Sequence, residues 1–151
     1  MAEAQPLRLM AADQDDLKFI SAALQDAVAK AGGIRYQASK RRFSIELNRF
    51  RWEDADAASG SRVRSIFAVD GVEAVRARGI TKSDPELVIS LLSAGFEPAS
   101  EDPEDPSGTV LLTLAGDGEI LLEVECLDIT LLDSETVWST RHVPSHQSRR
   151  R

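Results

Sequence analysis

Between Ser83 and Thr140 the chain has no lysine and no arginine, although fourteen aspartates and glutamates fall in that stretch. Histidine is missing too until His142 and His146 near the C-terminal end. The residue type most used for proton transfer near neutral pH is therefore absent from the region expected to fold, which counts against a Ser-His or Cys-His nucleophile system. Carboxylate or metal chemistry is not excluded by that absence. Cys126 is the only cysteine, so no intrachain disulfide can form and no zinc-ligand cysteine pattern exists; a reducing cytoplasm suits such usage. No apolar run approaches the ~18 residues of a membrane span. The first sixteen residues carry Glu3 and no continuous apolar core, so neither a secretory signal nor an arginine-rich transit peptide is expected.

What is present is charge of two kinds. Residues 30–82 hold twelve Lys/Arg against six Asp/Glu, so +6 precedes the −14 of residues 83–140. That asymmetry bears on association and steering more than on fold. The net charge of −7 argues against general nucleic-acid binding, which favours a basic domain. A length of 151 residues with 42% hydrophobic content fits one globular domain. Residues 1–6 read as a frayed start, 7–136 as the domain, and 137–151, ending in HVPSHQSRRR, as a flexible basic tail.

Within the domain, Leu7 to Met10 reads as a short strand. Asp13 or Asp15 can cap a helix over DDLKFISAALQDAVAKAGG, whose Leu17, Ile20, Leu24 and Val28 recur at helical spacing and whose Gly32-Gly33 can close it. The period then becomes 2. Ile34, Tyr36 and Ala38, then Phe43, Ile45 and Leu47, predict a hairpin across SKRR. Phe50 and Trp52 fall on the opposite parity from Leu47, so either a bulge lies near Asn48 or these aromatics cover the second face. Two apolar runs between Arg62 and Ile80 flank Asp70-Gly71, a dipeptide favoured in hairpin turns. The segment 84–97 reads either as a helix, started by the capping box Ser83/Glu86, or as a helical turn leading into a strand, which is the favoured reading, and 99–108 as an acidic loop. Gly116-Asp117-Gly118 then turns a hairpin, with Val110, Leu112 and Leu114 on one arm and Ile120, Leu122, Val124 and Cys126 inward on the other. The fold class is α+β: a curled antiparallel sheet of six or seven strands, open or partly closed into a barrel, with one N-terminal helix on a face.

No cofactor motif is present, since Gly116-x-Gly118 lacks the helix and lysine of a phosphate loop. Glu123 and Glu125 share a strand face and, with an acid from 99–105, form the candidate set for a carboxylate- or metal-dependent hydrolase. An outward polar face explains them equally, and no calcium-loop pattern accompanies them. The segment Arg49-Phe50-Arg51-Trp52, after Lys40-Arg41-Arg42, interleaves basic and aromatic side chains and is the candidate partner-binding site. The bland alternative puts the aromatics in the core and pairs the arginines with acids from the second half.

The phrases ISAALQDAV (20–28), RRFSIELNRFRWE (41–53), SDPELVISLLSAGFEP (83–98) and VLLTLAGDGEILLEVECLD (110–128) resemble a bacterial family, mainly alphaproteobacterial, known as domain of unknown function 2948. The resemblance covers about residues 7–133. It implies a small cytoplasmic bacterial protein and carries over no catalytic residue. The expected function is a non-catalytic binding or assembly module, meeting a protein partner or itself through charge-asymmetric surfaces.

Overall fold

The structure, a computed structural model, describes residues 7–52, 60–80 and 84–140, with the backbone alone described at 60–61 and 135–140. The frayed start expected at 1–6 and the part of the basic tail expected at 141–151 lie outside the described residues. The chain forms β1 (Arg8–Ala11), α1 (Gln14–Leu24), β2 (Val28–Lys30), β3 (Ile34–Gln37), β4 (Arg42–Phe50), β5 (Gly60–Asp70), β6 (Val72–Arg78), β7 (Val88–Pro98), β8 (Gly108–Leu114), β9 (Glu119–Val124) and β10 (Ile129–Thr140). All the strand pairs are antiparallel. Among the described residues ten strands, rather than six or seven, run in the order β1-β10-β5-β4-β2-β7-β8-β9-β6, with β3 also on β4. The sheet is open, as β1 and β6 stand at its two ends.

The expected start of α1 holds: the Asp13 carboxylate accepts from the Asp16 N–H at 2.8 Å, and Asp15 and Asp16 complement the helix dipole. Its expected end does not. The helix stops at Leu24, not at Gly32-Gly33, because Asp26 turns left-handed (φ 62°) and the next residues join the sheet. The Asp26 N–H donates to Leu91 O at 2.9 Å, and the Leu91 N–H donates back to Ala27 O at 2.8 Å. Val28 thus belongs to β2 and not to the helical stripe. Leu17, Ile20, Ala23 and Leu24 remain buried, and α1 packs on β7, β1 and β4.

Asp70-Gly71 was expected to turn a hairpin, but β5 and β6 do not pair with each other. Gly71 takes φ 74° and makes a corner that carries the chain from β4 and β10 to β9. The Val72 N–H donates to Arg41 O and the Glu125 N–H to Gly71 O, which fixes the corner on both sides. Phe43, Ile45, Phe67, Leu91, Leu112, Leu122 and Leu131 join the helix residues in one buried cluster, so strands from both sides of this corner share a single core. The 38–41 and 116–118 turns form as expected, with Arg41, Gly116 and Asp117 at positive φ. Pro85 and Glu86 make a turn before β7. Cys126, expected inward, is exposed, because β9 ends at Val124 and the chain bends before β10. Residues 137–140, read from sequence as the start of a tail, pair with β5.

Candidate functional site

The parity of β4 decides where the candidate segment goes. Phe43, Ile45 and Leu47 point inward, and β4 pairs with β5 from Arg42 to Phe50 without a register shift. No bulge intervenes, so Arg49 continues the inward series and Phe50 covers the second face. Arg49 is 0% exposed, Phe50 0% and Arg51 3%, while Trp52 is half-buried. On β10, Ile129, Leu131 and Asp133 also face inward, with Ser65 of β5 directly opposite Asp133.

Asp133 is the hub. Arg49 donates to its carboxylate twice, from Nε to Oδ1 at 2.8 Å and from Nη2 to Oδ2 at 2.7 Å. Arg51 Nη1 adds a bond to Oδ2 at 3.1 Å, Ser65 Oγ one to Oδ1 at 2.6 Å, and the Leu7 N–H one to Oδ2 at 2.8 Å. Burial by itself pushes this carboxyl up, but bonds from Arg49, Ser65 and Leu7 and the Arg49 charge outweigh it and hold the carboxyl below its ordinary range. The forked geometry suits arginine, whose planar donors match a carboxylate.

On the second face, Phe50 and Trp52 meet edge to face at 4.7 Å between centroids, and the Arg62 guanidinium lies 5.9 Å from the Phe50 centroid. Trp52 Nε1 donates to Gln25 O at 3.0 Å, tying the end of β4 to the end of α1. Burial lowers the Arg62 pKa, and the charge of Asp26 partly offsets that.

The two charged parts meet inside one fold. Lys30 pairs with Glu86 at 2.8 Å, Arg76 with Glu123 at 2.8 Å, and Arg41 with Glu125. Arg78 Nε donates to Glu119 at 3.0 Å. Each of these joins the basic residues 30–82 to the acidic residues 83–140, as the Asp133 cluster does. Glu123 and Glu125 therefore each carry an arginine partner. The acidic loop is bound up in itself: Ser107 Oγ and N–H and Ser100 Oγ donate to Asp105 and hold its carboxyl below the usual range. Among the described residues, no group of three His, Cys, Asp or Glu could hold a metal ion.

A cleft of about 730 Å³ opens on the outer face, where β2 meets β4 at Val28↔Asn48 and then diverges. Gly33 crosses β4 so closely that a Cβ there would stand 3.3 Å from Glu46 O. Lys30, Glu46, Asn48, Arg64 and Glu86 supply the polar lining. Among the described residues, Arg64 makes no side-chain hydrogen bond or ion pair, whereas Asn48 Oδ1 accepts from Arg62 at 2.8 Å.

The family model described as "Protein of unknown function (DUF2948)" matches residues 7–146. The chain belongs to that family. No curated protein and no solved structure matches it. Among the described residues of this DUF2948 chain, no helix is long and apolar enough to cross a membrane.

The alternative in which these arginines pair with acids of the second half is the one the structure shows; sequence reasoning did not single out Asp133, although a signal for it exists. Arg49 shares the odd parity of Phe43, Ile45 and Leu47, and Asp133 that of Ile129 and Leu131. Opposite charges on the inward parity of two strands are the pattern of a buried pair.

Proposed function

We propose that this domain is a non-catalytic binding module that engages a protein partner through the outer-face cleft. The observation that carries this is Arg64: a cation lining a 730 Å³ cleft without a partner among the described residues. Much of the surface charge, Lys30 with Glu86 included, is already taken up by contacts between the two halves, so a partner's carboxylate would find its donor at Arg64. In this scheme Arg49, Phe50, Arg51 and Trp52 serve the site indirectly, by fixing the outer end of β4, whose Asn48 and Glu46 form one wall.

The test is paired affinity capture from a lysate of the source organism, using the wild-type domain and Arg64→Glu as baits. Supporting the proposal, a protein is retained by the wild type and lost with the variant while the urea midpoint is unchanged. Equal retention by both baits would remove the cleft as the partner site.

A further inference from the structure

The outer face of β1, β10, β5 and β4 carries a row of side chains in strict register. Arg8 pairs with Leu132, Leu132 with Ile66, and Ile66 with Glu46, so one rung reads Arg8–Leu132–Ile66–Glu46 across four strands. All four point outward: Leu132 is 37% and Ile66 45% exposed, and Arg8 and Glu46 are exposed. Neither Arg8 nor Glu46 makes a side-chain hydrogen bond or ion pair among the described residues. Three strand spacings of about 4.8 Å separate them by about 14 Å, too far to meet within one molecule. The neighbouring rung, Met10–Thr130–Ala68–Ser44, adds Met10 at 73% exposure and otherwise small or neutral side chains.

We propose that this face binds a second copy of the chain about a two-fold axis parallel to the strands, between β10 and β5. Such an axis reverses each rung onto itself. Leu132 then lies on the partner copy's Ile66, and Arg8 on its Glu46, twice per dimer. The order cation, apolar, apolar, anion is self-complementary only in this reversed sense; translation of the face onto itself would put like charges together. A two-fold interface requires such self-complementarity, and the outward apolar pair, flanked by charge, has the anatomy of an apolar centre with a polar rim. Face-to-face packing of two sheets about 10 Å apart is an ordinary arrangement. The face is small, so the dimer is of the transient, micromolar kind.

This goes beyond the cleft proposed above, with which it shares Glu46 alone: a dimer without partner capture, or capture by a monomer, separates the two. The experiment is sedimentation equilibrium across a wide concentration range at low salt, on the full chain and on four variants. The wild type should rise from monomer to dimer mass. Arg8→Glu and Glu46→Arg should each place like charges together and raise the dissociation constant about tenfold or more. Combining them, R8E with E46R, should restore association, because every contact is again between opposite charges. Ile66→Lys should abolish the dimer whatever the charge at the rim. Because all these positions are exposed, the urea midpoints should match the wild type. A monomer at all concentrations overturns the proposal, and so does a dimer indifferent to Ile66→Lys or not rescued by the double swap.

Discussion

Arg49 and Asp133, 84 positions apart in sequence, meet through two hydrogen bonds of 2.8 and 2.7 Å, with both side chains wholly shielded from solvent. The pair joins the basic part of the chain to the acidic part at the point where β4, β5 and β10 lie side by side. Breaking a buried pair by removing one partner strands a desolvated charge, which costs about 3–5 kcal/mol. The exposed pairs elsewhere are different in kind.

Glu123→Gln and Glu125→Gln remove exposed contacts to Arg76 and Arg41. Such pairs contribute about 0–1 kcal/mol each. Both variants should unfold within about 1 kcal/mol of the wild type in urea, and a greater loss would show that these arginines are held more firmly than their exposure implies.

Helix docking gives a larger effect. Leu24 is buried in the core shared by α1 and the sheet. Leu24→Ala should destabilise by about 2–5 kcal/mol, read from the urea midpoint. An unchanged midpoint would place the helix on another surface.

The aromatic pair separates a packing role from a contact role. Phe50 is fully buried, so Phe50→Ala should cost about 3–5 kcal/mol. Trp52→Phe keeps a ring near Phe50 but loses the bond to Gln25 O, and should cost only about 0.5–1.5 kcal/mol. If both variants are as stable as the wild type, the ends of β4 and α1 are not tied as described.

Acid should act through Asp133. Its carboxyl is held below the ordinary range when folded, so the folded state binds protons there less readily than the unfolded state. The stabilisation is fully present above the unfolded value of about 3.9 and is lost as the pH falls through the lower folded value. The stability difference between wild type and Asp133→Asn should stay level from neutral pH down to about 5, then narrow below about 4. A difference that instead shrinks between pH 7 and 5 would contradict the direction of the shift.

Alternation made much of the sheet legible. Phe43-Ile45-Leu47, Val110-Leu112-Leu114 and Ile120-Leu122-Val124 each face inward as their period of 2 requires. The turns with Arg41 and Asp117 were legible from their polar and glycine residues. The second half of the helical pattern was not, because QDAVAKAGG has good local helix propensity that the ladder to β7 overrides. The corner at Gly71 was read as a hairpin, since Asp-Gly serves either geometry and only the long-range partners of β5 and β6 decide. For Arg49 and Arg51 the sequence left a partner-binding surface and a pairing with acids of the second half side by side, since arginine is rarely buried without a partner and only the β5–β10 register brings Asp133 to them.

The internal joining of the two charged parts is tested most directly by a double-mutant cycle on Arg49→Met and Asp133→Leu, followed by urea unfolding. Each single change should destabilise strongly, and the double variant should be less unstable than the sum, with a coupling of about 2–3 kcal/mol. Additivity within about 0.5 kcal/mol would mean that the two residues do not meet in the folded protein, and the account of the fold's charged centre would be wrong.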